Sequence, residues 1–352
     1  MAEQVGIELE GATGKITRTP NVHGINLTPV LSSIARKRQE ATGSQRLSTL
    51  WKNKKVLFIA LLASFGGLEY GYQQGVLSQC YVMWSFKNEF SAIVNDSSKQ
   101  GWLTSILQLG GWLGALSSGV FAQVFTRKHT MFVGCLWVIL GSYLCAGAQS
   151  SAYLYAGRWF TGLGVGTFSA VGPLYNAELA PPEMRGIIVA CQQLATTLGI
   201  MTSYWIGYGT NYIGGTGSGQ SDMAWRLPSI IQGLPAIFLS VCIWFMPFSP
   251  RLLMHKGKEA EVLKTLSYLR NLPEDHELVQ LEFMEIKSEA LFEERHFKKA
   301  FPKLAERSGN NLWMREFAQY VNCVNSWDNF KRIFIGGAVM FFQQWSGIDS
   351  SE

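Results

Sequence analysis

Six apolar stretches of membrane length follow one another between residues 56 and 247, at Val56–Val76, Leu103–Phe125, Met131–Gln149, Tyr153–Tyr175, Ile187–Tyr208 and Ile230–Pro247. A helix needs about 20 mostly apolar residues to cross a hydrocarbon core. A soluble helical core has no reason to repeat that length so often. Charged residues make up 16% of the chain, against roughly 25% in globular proteins. Most of them fall in residues 1–55 and 250–331. The fold class this dictates is an all-α polytopic membrane protein built on a six-helix bundle.

Basic residues set the orientation. Lys52, Lys54 and Lys55 abut the first span, and Arg36, Lys37, Arg38 and Arg46 precede it. The positive-inside rule then puts the N-terminus in the cytoplasm. Six crossings return the basic 250–331 segment to the same side. The first apolar run comes too late for a secretory signal, and the expected setting is the plasma membrane. The net charge of +5 fits loops facing anionic lipid and calls for no nucleic-acid partner. The cysteines lack paired spacing, which suggests neither a disulfide framework nor a metal site.

Four regions result. Residues 1–50 read as a disordered tail, 51–249 as the bundle, 250–331 as a helical cytoplasmic linker domain, and 332–352 as the start of a seventh span. Within the linker domain, Val262, Leu263, Leu266 and Leu269 form one apolar stripe, and Leu278, Leu281, Met284 and Ile286 a second. Residues 208–226, with "GGTGSGQSD", read as a flexible outside loop. Asn95-Asp96-Ser97 lies in the first outside loop, where Asn95 is a possible glycosylation site.

Polar residues inside spans carry the functional signal, because lipid leaves them no partner. Three amide pairs occur, Gln73-Gln74, Gln192-Gln193 and Gln343-Gln344, and Asp349 follows the last. Neighbouring helical residues point about 100° apart, so at most one of each pair aims straight into a central cavity. Carboxamides donate and accept without the desolvation cost of a charge, which suits a neutral solute rich in hydroxyls. They can equally bond helix to helix, at about 0.6 kcal/mol each. Charges near span ends form a second set, Arg127, Arg158, Glu178, Arg185 and Arg251. They could anchor spans by snorkelling, or pair into a cytoplasmic gate. Gly110 and Gly114, and Gly162 and Gly166, have the spacing that lets helices approach closely.

Several motifs resemble the sugar porters of the major facilitator superfamily. They are "GRWFTGLGVG" (157–166), "PLYNAELAPPEMRG" (173–186), "QQLATTLGI" (192–200), "FSPRLL" (248–253) and "QQWSGID" (343–349). "AWRLPSIIQGLPA" (224–236) further resembles fungal hexose transporters. The resemblance implies two six-helix bundles around a midplane sugar site with alternating access. It implies a hexose such as glucose as substrate, contacted by Gln193, Gln343 and Gln344, with Asp349 where many members have asparagine. It also implies that Arg127, Arg158, Glu178 and Arg185 close the cytoplasmic mouth, that no cofactor takes part, and that the chain is a transporter rather than an enzyme.

Departures from the family pattern refine these expectations. Gln73 stands where proton-coupled members carry aspartate, which points to facilitative transport. Glu69, one turn earlier on nearly the same face, is the alternative proton carrier. Gln123 replaces the acid of the second-to-third-helix loop motif, and Phe248 replaces the glutamate of the sixth-helix exit motif, so the gate is expected to be weaker. The sequence ends at Glu352 within the seventh span. The chain alone is therefore expected to be inactive without a C-terminal bundle. A sugar sensor that does not transport is the competing class.

Overall fold

The computed structural model describes residues 21–22, 25–26, 54–181, 184–301, 313 and 327–345. Of the N-terminal tail, Asn21–Val22 pairs antiparallel with Ile25–Asn26, and the rest lies outside the described residues.

Apolar spacing produces the bundle. α1 spans Lys54–Val82. Two short helices, α2 (Trp84–Glu89) and α3 (Ser91–Val94), follow it. α4 (Ser97–Val124) buries Leu103, Leu107, Gly110, Gly114, Ser118 and Ala122, a stripe at intervals of three and four residues. Its other face leaves Trp102, Leu109, Trp112 and Leu116 exposed, as a lipid-facing surface requires. α5 (Arg127–Ala146), α6 (Ser151–Leu179) and α7 (Arg185–Thr210) continue the pattern. The sixth crossing runs from Met223 to Phe245. It is broken into α8 (Met223–Gln232) and α9 (Leu234–Cys242), with Pro235 near the start of α9. Proline has no N–H to continue the ladder, so the helix restarts at Gly233.

Four of these crossings are long and apolar enough for a bilayer by length and composition alone: α4, α5, α7 and Met223–Phe245. α1 and α6 are longer, at 29 residues each. They carry the polar side chains of the interior, Glu69, Gln73, Arg158 and Asn176, all buried.

Two clusters close the ends of the bundle. At the proximal end, where α1 begins, Val56, Ala122, Met131, Leu179, Met184 and Met246 pack together. At the distal end, Leu77, Phe86, Phe90, Leu103, Leu154 and Trp225 do so. Successive long helices therefore run in alternate directions. The glycine pairs act as the sequence implies. A methyl on Gly166 would overlap the main-chain oxygen of Gly111, and one on Gly114 that of Leu163, so α4 and α6 meet backbone to backbone.

The loop before α8 is pinned rather than free. Buried Gln220 accepts from the Ser85 N–H at 2.9 Å and donates to the Asn211 carbonyl at 2.7 Å. Trp225 packs on Phe86 and Phe90. Glycine-rich composition reported the loop's tip and missed the side chains that hold it.

Beyond the bundle lie α10 (Pro250–His255), α11 (Glu259–Arg270) and α12 (Glu277–Ala300). Val262 and Leu266 are buried as expected. In α12 the buried stripe is Val279, Phe283 and Ile286, whereas Met284 is 63% exposed. Ile286 of the expected stripe is buried, whereas Leu278 and Leu281 are half-buried and flank the contact face that Val279 and Phe283 form with it. α13 (Trp327–Trp345) begins the seventh span.

Candidate solute and gating sites

The proximal end gathers most of the expected gate. Thr126 caps α5 by accepting from the His129 N–H, which places Arg127 in the first turn facing the end of α6. Arg127 Nε donates to Glu178 Oε2 at 3.0 Å and Nη2 to Oε1 at 2.8 Å, with both side chains buried. Arg127 Nη1 donates to the Ala122 carbonyl at 2.8 Å and to Gln123 Oε1 at 2.9 Å. Glutamine at 123 thus keeps an acceptor on Arg127 while losing the charge.

Phe248, in place of a glutamate, also has a partner. Lys128 Nζ sits 5.0 Å from its ring centre and donates to the carbonyls of Trp244 and Met246 at 2.9 Å each. Lys256 donates to the Val124 and Phe125 carbonyls at the end of α4. Cations at helix C-termini complement the exposed carbonyls.

Arg251 pairs with Glu289 of α12 at 3.1 Å, outside the Arg127–Glu178 pair. Arg185 is half-buried, and its Nε has no partner among the described residues.

Arg158 does not belong to this set. It lies near the start of α6, and Glu178 lies near its end. Twenty residues of helix separate them, about 30 Å. Arg158 is buried, and Nη1 donates to the main-chain oxygen of Gln73 at 3.2 Å. The linear sequence shows that both residues flank one span, and only the direction of α6 separates them.

Beside Arg158, the amide of Gln73 is turned back along its own helix. Gln73 Nε2 donates to Glu69 Oε1 at 2.8 Å, and both residues are fully buried. Glu69 Oε2 and Gln73 Oε1 have no partner among the described residues.

The second amide pair divides as helical geometry requires. Gln192 is buried, and its Oε1 accepts from Asn176 Nδ2 at 3.4 Å. Gln193 is exposed. Three turns further on, Tyr204 lies about 20° from Gln193 around the helix. Tyr204 meets Ser78 at 3.5 Å, and Ser78 shares an α1 face with Gln74 and Tyr70, which are bonded to each other at 2.9 Å. α1 and α7 run side by side, with Gly67 on Gln192, Gly71 on Thr196 and Gly75 on Ser203. Tyr204, Ser78, Gln74 and Tyr70 thus form a short polar seam between these two helices, and Gln193 lies on the Tyr204 side of α7, about 16 Å away along the helix. The sequence reading missed Tyr70, Ser78 and Tyr204, although the spacing of Tyr70 and Ser78 at four residues on either side of Gln74 was visible.

Gln343 and Gln344 lie in the last turn of α13, and their side chains, like Asp349, lie outside the described residues. Asn95 is exposed at the end of α3. An apolar groove of about 650 Å³ between α4 and α5 is a poor polyol site.

Residues 59–351 match the family model described as "Sugar (and other) transporter". The high-affinity hexose transporter ght4 of Schizosaccharomyces pombe is 30% identical over 311 residues, covering 81% of this chain and 54% of that protein. Myo-inositol transporter 1A of Cryptococcus neoformans is 36% identical over 234 residues, covering 66% of this chain and 39% of that protein. Among solved structures, the proton:xylose symporter XylE bound to 6-bromo-6-deoxy-D-glucose aligns with a TM-score of 0.61 at 24% identity, over 73% of this chain and 57% of that one. The chain spans about half the length of the curated relatives it matches. An integral membrane bundle with this fold, matched over residues 59–351 by one family model, has a settled affiliation: the chain belongs to the sugar (and other) transporter family.

Proposed function

We propose that this chain forms the solute-binding half of a carrier that moves a neutral polyhydroxy solute, a hexose such as glucose, across the plasma membrane by alternating access. The observation that supports it most is the polar seam of Tyr204, Ser78, Gln74 and Tyr70, with exposed Gln193 on the same side of α7. Its groups are amides and hydroxyls, which match a polyol donor for acceptor and leave no charge to desolvate. Gln343, Gln344 and Asp349 complete the contacts from the seventh span. The hexose transporter among the relatives points to the same solute class.

In this reading the N-terminus is cytoplasmic and Arg127–Glu178 holds the inner mouth shut. Glutamine at position 73 cannot carry a proton, which supports downhill movement. A C-terminal bundle is required, and the chain alone is inactive. The test is uptake of labelled glucose by yeast lacking its own hexose carriers. The chain is expressed alone and with the C-terminal bundle of a fungal hexose transporter. Saturable uptake only in the second case, insensitive to a protonophore, is the expected result. Absence of uptake when both halves reach the membrane and associate overturns the proposal.

A further inference from the structure

We propose that Glu69 is a proton-binding site of this carrier, and that its carboxyl is protonated in this conformation. The inference deepens the transport reading and rests on it for its consequence, although not for the site itself. Glu69 is completely buried in the middle of α1. No cation forms an ion pair with it among the described residues. One carboxyl oxygen accepts from Gln73 Nε2 at 2.8 Å, and the other has no partner.

The same bonded pair holds a second orphan, Gln73 Oε1. Two acceptors left over on one acid–amide pair are one proton short. A hydrogen on Glu69 Oε2 turns that oxygen into a donor and gives Gln73 Oε1 an acceptor role, closing a ring of two hydrogen bonds. An ionised Glu69 instead leaves a buried charge with one oxygen unsatisfied, the costliest arrangement available to it.

The surroundings offer the ionised form little. Tyr72 on α1 and Cys135 on α5 lie within electrostatic reach of Glu69. Neither is a cation. From α6, Arg158 bonds the main-chain oxygen of Gln73. α7 contributes buried Gln192 and Thr196, with Cys191 and Tyr204 as the titratable residues flanking them in sequence. In the sixth crossing Arg226 is paired with Glu89 at 3.3 Å, and Cys242 is half-buried. α2 brings that same Glu89 and Lys87, and α11 approaches only the start of α1, where Lys55 meets Asn271.

The consequence is a protonation step at Glu69 that Gln73 cannot provide. A water-accessible conformation releases the proton, and this packed conformation takes it back. Solute still flows downhill if Glu69 exchanges its proton with one side only.

Infrared spectroscopy of the purified chain in nanodiscs tests the site directly. The expected result is a protonated-carboxyl band at neutral pH that is lost in Glu69→Gln. A spectrum unchanged by the substitution overturns the proposal. The amide is the isostere of the protonated acid and can close the same ring, so Glu69→Gln should melt within a few degrees of the parent. Misfolding of Glu69→Gln also counts against the proposal, since it shows that the charge is needed.

Uptake by the assembled carrier separates this inference from the transport reading. The expected result is a pH-dependent rate that Glu69→Gln flattens. A pH profile kept in Glu69→Gln overturns the inference alone. Absence of uptake with the band intact overturns the transport reading alone.

Discussion

Arg127 and Glu178 are joined by two charge-assisted hydrogen bonds, at 2.8 and 3.0 Å, between the first turn of α5 and the last turn of α6. Both side chains are buried, at 4% and 7% exposure. Removing one partner strands the other in a low-dielectric site, at a cost of about 3–5 kcal/mol. Arg127→Met and Glu178→Leu should each lower the melting temperature clearly in a thermal scan. Arg127→Met combined with Glu178→Leu should cost less than either single change, because no orphaned charge remains. Simple additivity in that cycle would show that the pair does not act as a unit.

Gly166 and Gly114 place α4 and α6 in main-chain contact. Gly166→Leu should prevent that approach and sharply reduce the yield of monodisperse protein. Gly209→Leu, where a side chain meets open space, should leave the yield unchanged. Size-exclusion profiles of the two variants in one detergent make the comparison.

The crossings were legible in the sequence because bilayer thickness fixes their length. The close α4–α6 contact was legible because only glycine permits it. The division of labour between Gln192 and Gln193 was not, since neighbours on a helix differ only in direction and the direction is set by what α1 presents. Arg158 looked like a partner for Glu178 until the course of α6 put about 30 Å between them. In α12 Ile286 was legible as buried, whereas leucine and methionine at 278, 281 and 284 mimic the positions that Val279 and Phe283 occupy on that face. Gln220 anchors its loop through main-chain groups of Ser85 and Asn211, and such partners leave no trace in composition.

Asn95 is exposed just before the Asp96 cap of α4. The proposed cytoplasmic N-terminus puts this loop outside, where the sequon is open to the glycosylation machinery. Expression in yeast should give a band that shifts on endoglycosidase treatment and is absent in Asn95→Gln. An unshifted band in a chain whose termini map to the opposite orientation contradicts the assigned topology.

Lys128 holds the last carbonyls of the sixth crossing and lies over the Phe248 ring. Lys128→Met removes the donor and leaves the Trp244 and Met246 carbonyls without it, at about 1–3 kcal/mol. Phe248→Leu removes only the ring face, at about 0.5–1 kcal/mol. Thermal scans should rank the losses in that order, and a reversed order would show that the ring, not the carbonyls, fixes the lysine.

Cysteine accessibility at positions 192 and 193 tests the solute-facing seam most directly. In a background with the native cysteines replaced, Gln193→Cys should react with a water-soluble maleimide, and glucose should slow the reaction when both bundles are present. Gln192→Cys, enclosed beside Asn176 and Gly172, should stay unlabelled. Labelling of Gln193→Cys only by a lipid-soluble reagent, with no effect of glucose, would place that side chain in lipid and contradict the account.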